Sequence, residues 1–391
     1  MKILFVNANL KGHVHPTLEM AEVLVKRGHE VSFFSGEEFR VEAEEIGAKF
    51  EVFPESLVKF FAEYRPSDRH PFFLLTEYIF SWDEAMLPVI LTLCRRENFD
   101  LLVCDSVFGG AFFLKQILNI PIVVSHSTFA SKRTPLPERM LQPGFHPQLD
   151  RSNAISKRIA ESYGIKPATQ EEIFVSRGDL NLVYTSRKFG GFPAPEDGSD
   201  DAYLFVGPSL RRRSAEPVFE APEDGRPIVL VSMGSIGISD PGFFRACIEA
   251  LRGTEFRGIL SVGAKIPLES LGELAENITA AAYVSQLEIL PQAAVFVTHA
   301  GFNSTHEAIL FGVPMLAVPF ANDQFLVAKR IVENGLGETA ELTSITPEKL
   351  RDAITRLAGS AEIRARCREA AENMCLGPTR EDAAGRIEEL V

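Results

Sequence analysis

Short apolar runs, each followed by a polar turn and then by residues at helical spacing, recur along the chain, and this alternation limits the folds open to it. Residues 3–6 (ILFV) lead into a polar, Gly-containing loop at 7–15; residues 17–28 then place Leu18, Ala21 and Val25 on one face, with Gly28 where a helix stop belongs. Further β-rich runs stand at 31–34, 50–53, 101–104 and 122–124, the third of them followed by a helix-compatible stretch at 107–118. Strands alternating with helices predict an α/β fold built on a parallel, doubly wound sheet.

The second half repeats this opening. The runs at 228–232, 259–262, 281–284, 295–298 and 315–318 continue the alternation. A shift of 225 positions aligns Ile3 with Ile228, Val6 with Val231, Gly12 with Gly237, Pro16 with Pro241, Ala21 with Ala246, Arg27 with Arg252 and Gly28 with Gly253. The match fits an internal duplication, and it fits equally two unrelated strand-loop-helix units that put Gly and Pro at similar places. Either way a second α/β domain begins near residue 228, and 391 residues suit two domains. Residues 208–227 hold Arg211-Arg212-Arg213, four prolines and almost no periodicity, the composition of an exposed linker. Ligands of such sheets sit at the carboxyl ends of the strands, so two facing domains would bring two ligands together.

Charge narrows the ligands. With 53 acidic residues against 40 Lys plus Arg the net charge is -13, which disfavours nucleic acid, because phosphate-tracking proteins need a basic excess. An anionic ligand has to be held locally, by backbone amides and helix N-termini. Five cysteines without a CxxC pair argue against a disulfide framework or a zinc site and fit a reducing cytoplasm. The apolar run at 3–6 is too short for a signal peptide, and no run approaches the ~20 apolar residues of a membrane span.

The most informative stretch is HAGFNSTHE at 299–307, which follows the apolar run 295–298. Gly301 permits a close turn, and Asn303, Ser304 and Thr305 would set hydroxyls and amides at a helix N-terminus, a place suited to phosphate. Ser304 and Glu307 equally read as an S-x-x-E capping box that needs no ligand.

Extended to HAGFNSTHEAILFGVPMLAVPFANDQ, residues 299–324, the stretch resembles the donor-binding signature of the family-one UDP-glycosyltransferases, in particular the bacterial macrolide and natural-product enzymes. The opening GHVHPTLEMAEVLVKRGHEVSF, the run LLVCDS, the VSMGS loop and the DQF segment fall in that family's order, so the resemblance spans nearly the whole chain. It implies a GT-B fold: a Rossmann-like acceptor domain at 1–207, a linker at 208–227, a Rossmann-like nucleotide-sugar domain at 228–372, and a C-terminal helix at 373–391 packing back on the first domain, the two domains facing each other across a cleft.

By the same resemblance His299 and the backbone from Gly301 through Asn303 and Ser304 to Thr305 hold the diphosphate, and Glu307 accepts from the ribose hydroxyls. Asp323 and Gln324 bind the sugar. Ser235 contacts phosphate from the loop after 228–232, or is simply a turn residue between Gly234 and Gly237. Where the family usually has Trp-x-Pro-Gln this chain has Tyr283-Val-Ser-Gln286, so Tyr283 would stack on the base and Gln286 matches, while Ser285 leaves the loop less constrained than a proline would.

The family's base is the His of an H-x-x-P pattern after the first strand, which selects His13 over His15; an imidazole with a pKa near 6.5 can take a hydroxyl proton as the oxygen attacks the anomeric carbon. Asp105 ends the run 101–104 and is either a helix N-cap or, by the resemblance, the partner that fixes the tautomer of His13. His126 is assigned no role. Phe60, Phe61, Phe72, Phe73, Tyr78 and Trp82 lie in an aromatic segment, loop-prone around Pro66 and Pro71, that is either core or, as in the family, the lining of the acceptor site.

The expected activity is inverting, metal-independent transfer of a hexose from a nucleotide-sugar, UDP-sugar favoured over dTDP-sugar, to a hydroxyl of a macrolide, polyketide or phenolic acceptor. No cofactor beyond that co-substrate is implied, and monomer and homodimer both fit. The competing readings are a sugar-nucleotide epimerase or hydrolase, which would act without an acceptor, and a non-catalytic sugar-nucleotide-binding protein, against which the pair His13 and Asp105 weighs. A dehydrogenase is disfavoured, since neither turn has a full G-x-G-x-x-G.

Overall fold

The computed structural model describes residues 1–63, 71–107, 110–132, 138–142, 144–192, 202–210, 224–234, 240–321 and 323–391. The chain divides into two compact units, one formed by Met1–Arg187, Gly191–Gly207 and Gly377–Val391, the other by Lys188–Gly190 and Pro208–Leu376.

The first unit carries strands β1 (Lys2–Val6), β2 (Glu30–Ser35), β3 (Lys49–Val52), β4 (Leu101–Asp105), β5 (Ile122–His126), β6 (Leu180–Val183) and β7 (Tyr203–Phe205). They form a seven-stranded sheet in the order β3-β2-β1-β4-β5-β6-β7, every pair parallel. Side chains alternate across a strand, so an element covered on both faces is apolar at every position. β1 shows this directly: Ile3 and Phe5 join one buried cluster with Val14, Leu18 and Leu24, while Leu4 and Val6 join another with Phe80, Trp82 and Phe113.

The second unit repeats the plan with β8 (Ile228–Ser232), β9 (Arg257–Ser261), β10 (Ile278–Ala281), β11 (Ala293–Thr298), β12 (Met315–Ala317) and β13 (Gly337–Thr339), in the order β10-β9-β8-β11-β12-β13, again all parallel. The offset of 225 residues therefore pairs β1 with β8, strands holding the same place in two like sheets. The glycines it aligns, Gly28 and Gly253, both have left-handed φ, +89° and +66°, a conformation that costs glycine little.

Several boundaries differ from the sequence reading. The loop expected at 7–15 ends early, because the helix Lys11–Lys26 begins on an extended Leu10 whose carbonyl accepts from the His13 and Val14 amides; Pro16 lies inside the helix rather than ahead of it, and His13 stands in the first turn. The strand expected at 281–284 is Ile278–Ala281, since Ile278 already stands in register with Gly258 of β9 and the chain leaves the ladder before Tyr283. Pro71 opens the 27-residue helix Pro71–Glu97 where a loop was expected, and proline is well tolerated at a first helical position because no amide is needed there. The helix expected from 107 begins at Gly110.

At the C-terminus the last helices are Ala361–Met374 and Arg380–Glu388, and the unit boundary falls between Leu376 and Gly377. Ala383, Ala384 and Ile387 share the cluster of Val14 and Leu18, and Arg380 pairs with Glu19 at 2.6 Å, so the final helix packs on Lys11–Lys26. A Cβ at Gly377 would meet the Phe205 carbonyl oxygen, which explains the glycine at this crossing point. Residues 211–223, including the arginine run, lie outside the described residues. Among the described residues no helix is long and apolar enough to cross a membrane.

Candidate functional site

In both sheets the strand order turns back between the first strand and the fourth, β1 beside β4 and β8 beside β11, and it is past the carboxyl ends of such strands that open α/β sheets bind ligands. Both groups of residues singled out in the sequence stand at these two points.

In the first unit His13 follows β1, Asp105 is the last residue of β4 and Ser127 follows β5. His13 Nδ1 lies 2.9 Å from Asp105 Oδ2, the His13 side chain being 17% exposed and the Asp105 side chain 0%. The other carboxylate oxygen, Oδ1, accepts the Val107 amide at 2.8 Å. Asp105 is thus held by backbone on one oxygen and faces the imidazole with the other. Ser127, absent from the sequence reading, places its Oγ 2.6 Å from His13 Nδ1 and 3.4 Å from Asp105 Oδ2. A serine three residues beyond the apolar run 122–124 carries no signal in sequence; only the parallel register of β4 and β5 brings it alongside Asp105.

His15 is turned elsewhere. Its Nε2 lies 3.4 Å from Glu42, and its ring meets Phe39 edge-on at 6.1 Å. His126 is buried beside Tyr203, and burial pushes its pKa down to about 4, so it is neutral near pH 7.

In the second unit the loops after β8 and β11 meet at the His299 ring. A Cβ on Gly234, where φ is +75°, would come within 2.6 Å of the ring, and one on Gly301 within 2.2 Å of Nε2, so only glycine fits at either place. Ala300 between them has φ +60°, a strained conformation for a residue with a side chain, held in part by its amide donating to Thr298 Oγ1 at 3.2 Å. Burial lowers the pKa of His299 to about 4.

The helix after this turn is Phe302–Leu310, capped by Gly301 with no side-chain cap bond. Ser304 is therefore inside the first turn, and the S-x-x-E capping box is not formed. The first amide bonded back along the helix is that of Thr305, to the Gly301 carbonyl at 2.9 Å, which sets the amides of residues 302–304 at the positive end of the helix dipole. Asn303 and Ser304 are half-buried; Thr305, His306 and Glu307 are buried. Glu307 accepts from Gln286 Nε2 at 2.5 Å. Tyr283, in the loop ahead of Gln286, is 47% exposed. His306 donates from Nδ1 to the Phe302 carbonyl at 2.6 Å and is likewise lowered to about 4 by burial.

Asp323 precedes the helix Gln324–Glu333. Gln324 accepts with Oε1 from the Phe320 and Ala321 amides at 2.9 and 3.0 Å, so the group it can offer a ligand is its NH₂. Ser235 and the side chains of Phe61 and Phe72 lie outside the described residues. Of the remaining aromatic residues, Phe60 is half-buried, Trp82 is buried in the core with Tyr78 against it at 5.4 Å, and Phe73 stacks on His146 at 4.0 Å.

The solved glycotransferase of kitacinnamycin superimposes over 100% of this chain and 98% of its own with a TM-score of 0.86 at 25% identity. The paired Rossmann-like sheets are those of the GT-B glycosyltransferases. The model of the erythromycin biosynthesis protein CIII-like C-terminal domain matches residues 259–390, and that of glycosyltransferase family 4 matches residues 12–184. NDP-glycosyltransferase YjiC of Bacillus subtilis is 30% identical over 99% of this chain and 96% of its own length. Demethyllactenocin mycarosyltransferase of Streptomyces fradiae is 29% identical over 90% of this chain and 78% of its own. The chain belongs to this family of NDP-glycosyltransferases, and it is a glycosyltransferase of the macrolide and natural-product type.

Proposed function

We propose that the enzyme moves a hexose from a UDP-sugar to a hydroxyl of a hydrophobic small-molecule acceptor with inversion and without a metal ion. The observation that carries this is the buried, backbone-anchored Asp105 on Nδ1 of His13. A carboxylate there keeps the proton on Nδ1 and leaves Nε2 as the basic nitrogen that takes the acceptor's proton. The hydroxyl oxygen then forms its bond to the anomeric carbon as the bond to the diphosphate breaks. In the second unit the helix start at residues 302–304 and the His299 turn stabilise the diphosphate that departs, a task its dipole performs for an anion without a cation. Tyr283 stacks on the base, Gln286 and Glu307 stand at the ribose, and Asp323 with the NH₂ of Gln324 binds the sugar. Proton NMR of the product in the presence of EDTA tests the reading: a single product of inverted anomeric configuration is expected. Retention, or activity abolished by EDTA and restored by a divalent cation, would reject it.

The donor base follows from Glu307. A carboxylate at the ribose favours a nucleotide that keeps its 2′-hydroxyl, so UDP binds better than dTDP. Losing a hydrogen bond to a charged group costs roughly 1.5–3 kcal/mol, so Glu307→Ala should weaken UDP about tenfold or more and should shrink the preference over dTDP. Titration calorimetry with both nucleotides checks this; tighter binding of dTDP to the unaltered enzyme contradicts the assignment. For the acceptor, the names of the relatives favour a polyketide-type aglycone, whose apolar area supplies ~25 cal/mol per Å² on burial.

A further inference from the structure

We infer that Ser127 is a positioning residue that, together with Asp105, fixes the tautomer and ring rotation of His13. The inference rests on the reading of His13 as the base. Ser127 is 3% exposed, and its hydroxyl sits within reach of both members of the pair, 2.6 Å from His13 Nδ1 and 3.4 Å from Asp105 Oδ2.

These distances admit one consistent arrangement of protons. An imidazole nitrogen offers either an N–H or a lone pair in the ring plane, and a carboxylate only accepts. With Asp105 2.9 Å away, Nδ1 carries the hydrogen and shares it between Asp105 Oδ2 and Ser127 Oγ. The Ser127 hydroxyl, having accepted, donates its own hydrogen to Asp105 Oδ2. The opposite arrangement, with Ser127 donating to a bare Nδ1, would set a buried carboxylate against a lone pair and move the ring proton to Nε2, where it blocks the base.

The serine thereby makes two contributions that a lone carboxylate does not. It fixes the ring about its Cβ–Cγ bond by a second contact on the same nitrogen, and it gives the Nδ1–H of the imidazolium a second acceptor at the moment Nε2 takes the substrate proton. Nothing is transferred through Ser127 in this scheme; the substrate proton stays on Nε2 until it is lost to solvent.

Ser127→Ala removes only the hydroxyl. The expected result is a kcat about tenfold lower with an unchanged donor KM, and an acid limb of the pH–kcat profile about one pH unit lower, because the protonated ring has lost an acceptor. Nitrogen-15 NMR of histidine-labelled protein gives a readout that does not depend on turnover. The His13 resonances, assigned by their loss in His13→Ala, should show the Nδ1–H form in the unaltered protein and a lower titration midpoint in Ser127→Ala. A Ser127→Ala enzyme with unaltered kcat, acid limb and ring titration overturns the proposal. A fully active His13→Ala enzyme would instead remove the base reading, while the ring titration would still decide whether Ser127 holds His13.

Discussion

His13→Ala is expected to lower turnover by about 10²–10⁴-fold while leaving donor affinity unchanged, since a general base contributes typically that much and the residues proposed to hold the donor lie in the other unit. The acceptor should be an aliphatic alcohol of ordinary acidity, because a phenol, with a pKa of about 10, gives up its proton far more readily and hides the loss. Asp105→Asn should be impaired to a similar degree, and the structure says how. The Val107 amide donates to Oδ1 at 2.8 Å, so an asparagine keeps its carbonyl oxygen there and turns its NH₂ toward His13. A donor at Nδ1 forces the ring proton onto Nε2, and the base is lost through its tautomer with the shape of the site intact. His15→Ala is the control: its side chain is engaged with Glu42 and Phe39, and turnover should stay near normal. Single-turnover rates with calorimetric donor affinities measure all three variants. Wild-type turnover in His13→Ala would end the mechanism.

The two sheets were legible in the sequence because parallel strands covered on both faces are apolar at every residue, and ILFV, LLVC and VFVT stand out against polar flanks. What periodicity could not place were the elements governed by proline and by strand edges. Pro71 reads as a break, yet it starts the long helix Pro71–Glu97, and Pro16 sits within the helix that carries His13. For the site, Gly301 and Gly234 were visible as turn glycines, but the reason both must be glycine is the His299 ring between them, a contact across 65 residues of chain. Ser127 was invisible for the same cause: its partners are 114 and 22 residues away, joined only by the register of β4 and β5.

Three histidines lowered by desolvation also make a prediction about acid, and its sign differs between the two units. His299 and His306 in the second unit and His126 in the first are each lowered by burial from 6.5 to about 4. Between those values the folded histidine is neutral and the unfolded one protonated, so unfolding takes up protons and stability falls as the pH drops from about 6.5 toward 4. The first unit has an opposing group. Asp83, buried in the helix Pro71–Glu97, has a carboxyl raised well above 3.8 by burial, so its folded form keeps a proton that the unfolded chain releases, and its contribution to stability grows as the pH falls. His126 and Asp83 therefore act in opposite senses, while the two histidines of the second unit add. Carboxylates held low by ion pairs, such as Glu388 at about 2 beside Arg27, begin to matter only below about 4.5. At about 1.4 kcal/mol per proton and pH unit, the second unit should lose about 3 kcal/mol per unit across the window, a large share of a domain's stability. The chain has one tryptophan, Trp82, buried in the first unit, so its fluorescence follows that unit alone while far-UV circular dichroism follows both. On lowering the pH from 6.5 to 5, the thermal transition seen by circular dichroism should gain an early step that the fluorescence does not share. His306→Gln, which keeps a donor for the Phe302 carbonyl but does not titrate, should halve the slope of that step. A fluorescence transition that falls with pH as steeply as the dichroism would show that the acid sensitivity lies elsewhere.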